Sequence, residues 1–229
     1  HRSKIRRPSF IRQIEAEFVH PVVRGPSVKP FELVDLEYVA ALPYEKGQRA
    51  PIRKEELLRI APNLAKFYGD NMEYLDLGTD TTMRTVGAKN ATEPYAIGRV
   101  GTYTYGENFV AFRDNTKLVA CAVTGAQNTS WGGKRPYICQ NHAPYISQTT
   151  DGVDITADEA HYLAAILNAP IVVRFVESSN DGRSFEVRML ETLRVDRYDP
   201  SNKCHKRLVR LSKTAHANPS EESLASIGP

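Results

Sequence analysis

Thr156-Ala157-Asp158-Glu159-Ala160-His161-Tyr162-Leu163-Ala164-Ala165-Ile166-Leu167-Asn168-Ala169-Pro170 is a helix whose two ends are both written into it. Thr156 and Glu159, three residues apart, form a capping box in which hydroxyl and carboxylate take up each other's exposed amides. Ala160, Leu163, Ala164 and Leu167 follow at i, i+3, i+4 and i+7, one apolar stripe that must be buried. Pro170 disfavours helical geometry just before it and closes the helix at Asn168. The apolar run Ile171 to Val176 then suits either a second short helix or a strand.

Working outward, the chain before this helix reads as sheet. Gly101-Thr102-Tyr103-Thr104-Tyr105-Gly106 and Phe109-Val110-Ala111-Phe112 are rich in aromatic and β-favouring residues, and Leu118 to Val123 is a further apolar run, predicting antiparallel strands. On a strand, Tyr103 and Tyr105 share a face, which leaves a core role open for both. Tyr137-Ile138-Cys139 and Ala143 to Ser147 are additional strand candidates. Gly125 to Arg135 is a polar loop carrying the single tryptophan, Trp131, beside Gly132 and Gly133. Nearer the N-terminus, residues 1 to 20 read as strand and loop, and Val19 to Pro26 as a turn punctuated by proline and glycine. Leu33 to Leu42 reads as a strand. Residues 51 to 77 read as helical, started by Pro51, with Leu57, Leu58, Ile60, Leu64 and Phe67 on one broad apolar face.

After the capped helix, Leu193-Arg194-Val195 is a predicted strand entering the Tyr198-Asp199-Pro200 turn. Ser201 or Asn202 caps a last helix that turns Leu208, Leu211 and Ala215 inward and leaves a basic outer face. The expected class is α+β: an antiparallel or mixed sheet with flanking helices and a C-terminal helical segment. Residues 1–217 are expected to form one domain, with 218–229 a flexible tail.

Of the 229 residues, 41% are apolar and 25% charged, an ordinary globular balance. No run of about 18 apolar residues is present, so no membrane span is expected. Cys121, Cys139 and Cys204 match neither a disulfide framework nor a metal-binding spacing, which predicts reduced thiols in a cytoplasmic protein. The net charge is only +3, yet it is clustered. Arg2, Lys4, Arg6, Arg7 and Arg12 precede the first acid, and Lys203, Lys206, Arg207, Arg210 and Lys213 crowd the last helix. Two such clusters point toward phosphate neutralisation. The chain begins at His1, as expected of a piece of a longer polypeptide.

Catalytic chemistry is not assignable from these residues. Tyr74-Leu75-Asp76-Leu77-Gly78-Thr79-Asp80 imitates a cofactor-binding glycine loop, but Asp80 stands where close backbone approach needs glycine. The Asn/Asp-Pro-Pro-aromatic signature of amino-methyltransferases is missing from the chain. Asp181, Glu186 and Arg188 have only a loose nuclease-like spacing, and Asn180-Asp181-Gly182 reads more simply as a hairpin turn. The histidines have no metal-ligand spacing. Catalytic, cofactor and metal residues are therefore expected to be none.

Five stretches, spread over nearly the whole chain, resemble the target-recognition region of adenine-specific DNA methyltransferases of restriction-modification systems. Arg2 to Lys29, ending Val19-His20-Pro21-Val22-Val23-Arg24-Gly25-Pro26-Ser27-Val28-Lys29, looks like that region's entry, although an acid is common there near Ser27. Gly98 to Phe112 is similar to its central strand, with Tyr105 in place of phenylalanine. The helix Asp158 to Asn168, the turn Tyr198-Asp199-Pro200-Ser201-Asn202 and Leu208 to His216 match best. The resemblance implies a domain that grips double-stranded DNA and reads its sequence. Catalysis and S-adenosylmethionine would then belong to a separate domain, in the same parent polypeptide or in a partner subunit. Under it, Arg99, Tyr103, Tyr105, Trp131, Lys134 and Arg135 become candidates for base contacts, with Trp131 as an exposed wedge. Arg24, Lys206, Arg210 and Lys213 become candidates for phosphate contacts. The alternatives are a metal-dependent nuclease using Asp181 and Glu186, or a basic scaffold for an acidic protein partner.

Overall fold

The computed structural model describes residues 11–72, 93–113, 117–140, 142–178, 190 and 192–219. The chain divides into two compact units, His1–Val19 with Ala41–Val100, and His20–Ala40 with Gly101–Pro229. In chain order the strands are β1 (Val19–Val23), β2 (Val28–Lys29), β3 (Glu32–Leu33), β4 (Val39–Ala41), β5 (Asn108–Phe112), β6 (Ala120–Thr124), β7 (Gln127–Asn128), β8 (Lys134–Arg135), β9 (Ile138–Cys139) and β10 (Tyr145–Ile146). The described helices are α1 (Lys54–Ile60), α2 (Pro62–Asp70), α3 (Ala157–Leu167), α4 (Pro170–Ser178) and α5 (Lys203–Ala217). The class is α+β. Among the described residues no single helix is long and apolar enough to cross a membrane.

The larger unit is built on the antiparallel sheet β10-β5-β6. Its strands read as continuous apolar runs because both faces are covered. Val110, Phe112, Ala120 and Ala122 face a core shared with Ala160, Ala164 and Leu167 of α3 and Ala215 of α5. The intervening Phe109, Ala111, Cys121 and Val123 face a second core with Val23, Val28 and Ala143. The capping box at Thr156 forms as its spacing predicts, with Glu159 N donating to Thr156 Oγ1 at 3.2 Å and Thr156 N to Glu159 Oε2 at 2.8 Å. Pro170 opens α4, so Ile171 to Val176 is helical, and the two helices bend by 57° at the break.

The free edge of β6 is closed by side chains, which blunts it against pairing with another chain. Asn168 imitates a strand partner: its Oδ1 accepts from Ala120 N at 2.9 Å and its Nδ2 donates to Ala120 O at 2.8 Å. His216 Nε2 accepts from Ala122 N at 2.9 Å. Phe31 N also donates to Ala120 O at 2.9 Å. Phe31 lies in the two-residue turn between β2 and β3 with φ 58°, strained for a bulky residue. Its buried ring, 5.3 Å from that of His216, holds it there.

Four local expectations are corrected. Residues 19–26 are strand β1 and a 3₁₀ turn at Gly25–Ser27 rather than one turn. Pro21 is tolerated because the parallel ladder with β9 opens one residue later, at Val22↔Ile138. The Pro136 carbonyl, next in that register, is met instead by His20 Nδ1 at 3.3 Å. Leu33 to Leu42 splits into β3 and β4 because Asp35 turns the chain at φ 52°. Thr102–Tyr105 is a 3₁₀ turn, not a strand, and a Cβ on Gly101 would meet the Tyr103 ring at 2.6 Å. Leu193-Arg194-Val195 forms no strand, since Leu193 N bonds back to Leu190 O at 3.1 Å in a turn.

In the smaller unit α1 starts at Lys54 rather than at Pro51, because Arg53 is still extended. Pro62 is the first residue of a second helix, α2, so the stretch read as one helix is two. Leu57 and Leu64 are buried with Phe18, Ile52, Tyr68 and Tyr95, whereas Leu58 is 51% exposed and leaves the shared face. The first amides of α2 are capped from a distance: Asn63 N and Leu64 N donate to Glu15 Oε1 and Oε2 at 2.8 and 2.9 Å. Burial pushes this carboxyl up, but those amides outweigh it and hold its pKa below the ordinary value. Its contribution is therefore present above about pH 4.5 and lost as pH falls through the folded pKa. Glu15→Ala should cost about 1 kcal/mol, the usual size of a lost cap. Chemical denaturation at neutral pH measures this, and an unchanged midpoint contradicts the capping role.

Candidate nucleic-acid interface

Helix α5 is placed by the turn before it. Asp199 Oδ1 accepts from Ser201 N and Oγ, both at 2.7 Å, and the Asn202 side chain caps Cys204 N and His205 N at 2.8 and 3.4 Å. His205 Nδ1 accepts from Asp199 N at 3.0 Å, so the first turn is tied back to the loop that leads into it. The inward stripe is His205, Val209, Ser212 and Ala215, while Leu208 and Leu211 are only half-buried. Of the expected inward set only Ala215 is fully buried, with Leu211 half-buried against the same core, and the stripe is more polar than an apolar-only pattern allows.

Each buried polar group on that stripe has a partner on another element. His205 lies 3.4 Å from the Tyr162 hydroxyl, which donates to Asp196 O at 3.1 Å. Ser212 Oγ is 3.1 Å from His161 Nδ1. His216 Nδ1 is 2.7 Å from Ser212 O, and its Nε2 is taken by the Ala122 amide, so the ring is neutral with Nδ1 protonated. The rings of His161 and His216 meet edge to face at 4.7 Å. Burial first, and then the repulsion between the two rings if both were protonated, hold the His161 pKa down at about 4; burial also lowers that of His216. Both are stored neutral, so the unfolded chain binds more protons below about pH 6.5. Their stabilisation is present above that value and lost as pH falls toward 4. The free energy of unfolding should decline between about pH 7 and pH 5, where few carboxylates titrate, with a slope of up to about 1.4 kcal/mol per pH unit per histidine, and melting temperature should fall with it. His161→Gln should flatten the decline. A flat wild-type profile contradicts the neutral pair. Beside them Cys121 is buried and its thiol is pushed up to about 12, so it is no nucleophile.

The outward face carries Lys206, Arg210 and Lys213 at i, i+4 and i+7. With Asp158, Tyr198, Pro200 and Thr214 they line one open groove of about 720 Å³. Lys213 Nζ donates to Asp158 Oδ1 at 2.7 Å, and the Tyr198 hydroxyl to Asp158 Oδ2 at 3.4 Å. Among the described residues Lys206 and Arg210 are exposed and form no ion pair. The groove can therefore offer two uncommitted cations and one exchangeable one to an anion. Helical spacing made the three basic residues findable in sequence. Tyr198 and Asp158 were not placed at the site, because nothing local links Asp158 to Lys213, 55 residues away.

The remaining predicted site residues do not all gather here. Tyr105 is 4% exposed, with its ring edge-on to His20 at 5.4 Å, so it is a core residue and cannot enter a groove. Tyr103 is 36% exposed and does not share a face with it, since both lie on the 3₁₀ turn. Lys134 and Arg135 form β8, paired with β7 across a five-residue loop in which Gly132 and Gly133 adopt φ 99° and 73°. Lys134 is exposed and Arg135 half-buried. Trp131 is half-buried with its indole nitrogen enclosed, so it is no exposed wedge. The Arg24 guanidinium lies 4.1 Å from the centre of the Tyr38 ring. Arg99, exposed with φ 63°, belongs to the smaller unit. Asp181, Glu186 and Arg188, and the Tyr74–Asp80 stretch, lie outside the described residues. Compared with known proteins, the chain matches no family model and no curated sequence.

Proposed function

We propose that this chain is a DNA-recognition module that grips the duplex backbone with the outer face of α5. What carries the reading is the convergence of Lys206, Arg210 and Lys213 in one open groove, on a helix tied to β6 through His216 and to α3 through His161. A rigid helix presenting cations at one-turn intervals suits successive phosphates, which position a protein without reading sequence. Lys134, Arg135 and Tyr103, together with Arg24 and Arg99, are the remaining exposed or half-exposed candidates for further contacts. Likeness to the recognition region of adenine-specific methyltransferases supplies the setting: another domain binds S-adenosylmethionine and transfers the methyl group, and this one selects the site.

The reading is tested by fluorescence-anisotropy titration of a labelled duplex across a salt series. Three phosphate contacts from α5 alone predict a slope of log affinity against log salt of about −2.7, steeper if other cations take part. A slope near zero, or no binding at low salt, overturns the proposal.

A further inference from the structure

Resting on the reading of this groove as a polyanion site, we propose that Asp158 is an internal competitor, whose carboxylate engages Lys213 in the free protein and yields it when phosphate enters. A carboxylate among three cations is out of place in a surface that only has to attract anions. Its presence is not explained by helix capping, because Thr156 and Glu159 complete that box between themselves. Instead Asp158 projects from the first turn of α3 to α5 and to the loop before it, meeting Lys213 and Tyr198. Both side chains of the ion pair remain about half exposed, 50% for Lys213 and 45% for Asp158. Pairs of that kind are weak and exchange readily. Lys206 and Arg210 have no such competitor and are available to the first phosphate that arrives.

The consequence is a groove of reduced affinity for isolated anions. A single phosphate gains little by displacing Asp158, whereas a polymer already held by Lys206 and Arg210 brings its next phosphate to Lys213 at high local concentration. The Tyr198 hydroxyl keeps a hydrogen bond to Asp158 when Lys213 leaves, so the acid is retained at the groove wall and repels the incoming charge. Asp158 is thus a positioning and affinity-setting residue.

Asp158→Asn removes the charge while preserving size and a hydrogen-bonding side chain. In the same duplex titration it should tighten binding roughly three- to tenfold while the salt slope stays near that of the wild type, because Lys213 meets a phosphate in both complexes. Lys213→Ala should cost more affinity in the Asp158→Asn background than in the wild type, because only there is the lysine uncommitted before binding. Inorganic phosphate should compete for the groove better in Asp158→Asn than in the wild type. Melting temperature monitors folding of each variant, and Asp158→Ser, which keeps a residue favourable in the first turn, is the substitute if the asparagine variant is unstable. Equal or weaker duplex binding by a folded variant overturns this inference and leaves the proposed function standing. Failure of both wild type and variant to bind any duplex removes both.

Discussion

Asn168→Ala is expected to destabilise the larger unit by about 2–4 kcal/mol, because it removes three buried hydrogen bonds at the edge of β6 and leaves the Ala120 amide unmatched. The Asn168 amide makes three bonds at once, to Ala120 N, Ala120 O and Ala164 O at 2.9, 2.8 and 2.9 Å. Phe31 N still reaches Ala120 O after the substitution, but among the described residues Ala120 N donates to Asn168 alone. For a chain of this size each kcal/mol moves the melting temperature by about 2–4 °C, so a fall of roughly 5–15 °C should be seen. Asn168→Asp is a sharper variant. It keeps the acceptor for Ala120 N but loses both donated bonds and buries a charge, so it should also be destabilised. An alanine variant that melts with the wild type would show that the β6 edge is satisfied some other way.

The second large effect concerns binding. Lys206→Glu combined with Arg210→Glu places two acids where the two uncommitted cations stand, one turn apart on the exposed face of α5. Two phosphate contacts are lost and two repulsions added, so duplex affinity should fall on the order of 100-fold or more at moderate salt, with the salt slope flattened by about 1.8. Neither side chain packs in the core, so the melting temperature should hold within a few degrees. Lys54→Glu with Lys66→Glu, a reversal of equal size on the helices of the smaller unit, is the control for net charge. Equal losses from the two pairs would mean that overall charge, not the α5 groove, governs binding.

Much of this architecture was legible because its causes are local. Thr156, Glu159 and Pro170 bound α3 within fifteen residues, and the apolar runs at Phe109 to Phe112 and Leu118 to Val123 mark strands buried on both faces. The basic spacing of Lys206, Arg210 and Lys213 was visible for the same reason. What failed to show depends on distant partners. Pro21 looked like a turn former until the register with β9 showed that its missing amide interrupts no bond. His205, Ser212 and His216 look like polar surface residues, and only Tyr162, His161 and Ala122, all remote in sequence, turn them inward. Trp131 suggests an exposed wedge because two glycines stand beside it, whereas Tyr105 leaves a groove contact and a core role equally open; the hairpin encloses the nitrogen of the first and the 3₁₀ turn buries the second. The pairing of Asp158 with Lys213 likewise requires α3 and α5 to lie side by side.

That α5 itself meets the duplex is tested most directly by lysine footprinting: brief acetylation of the free and the duplex-saturated protein, read peptide by peptide in a mass spectrometer. The account predicts strong protection of Lys206, and protection of Lys213 once Asp158 has released it, while lysines remote from α5 serve as internal references. Unchanged modification of Lys206 and Lys213 at saturating duplex would contradict it.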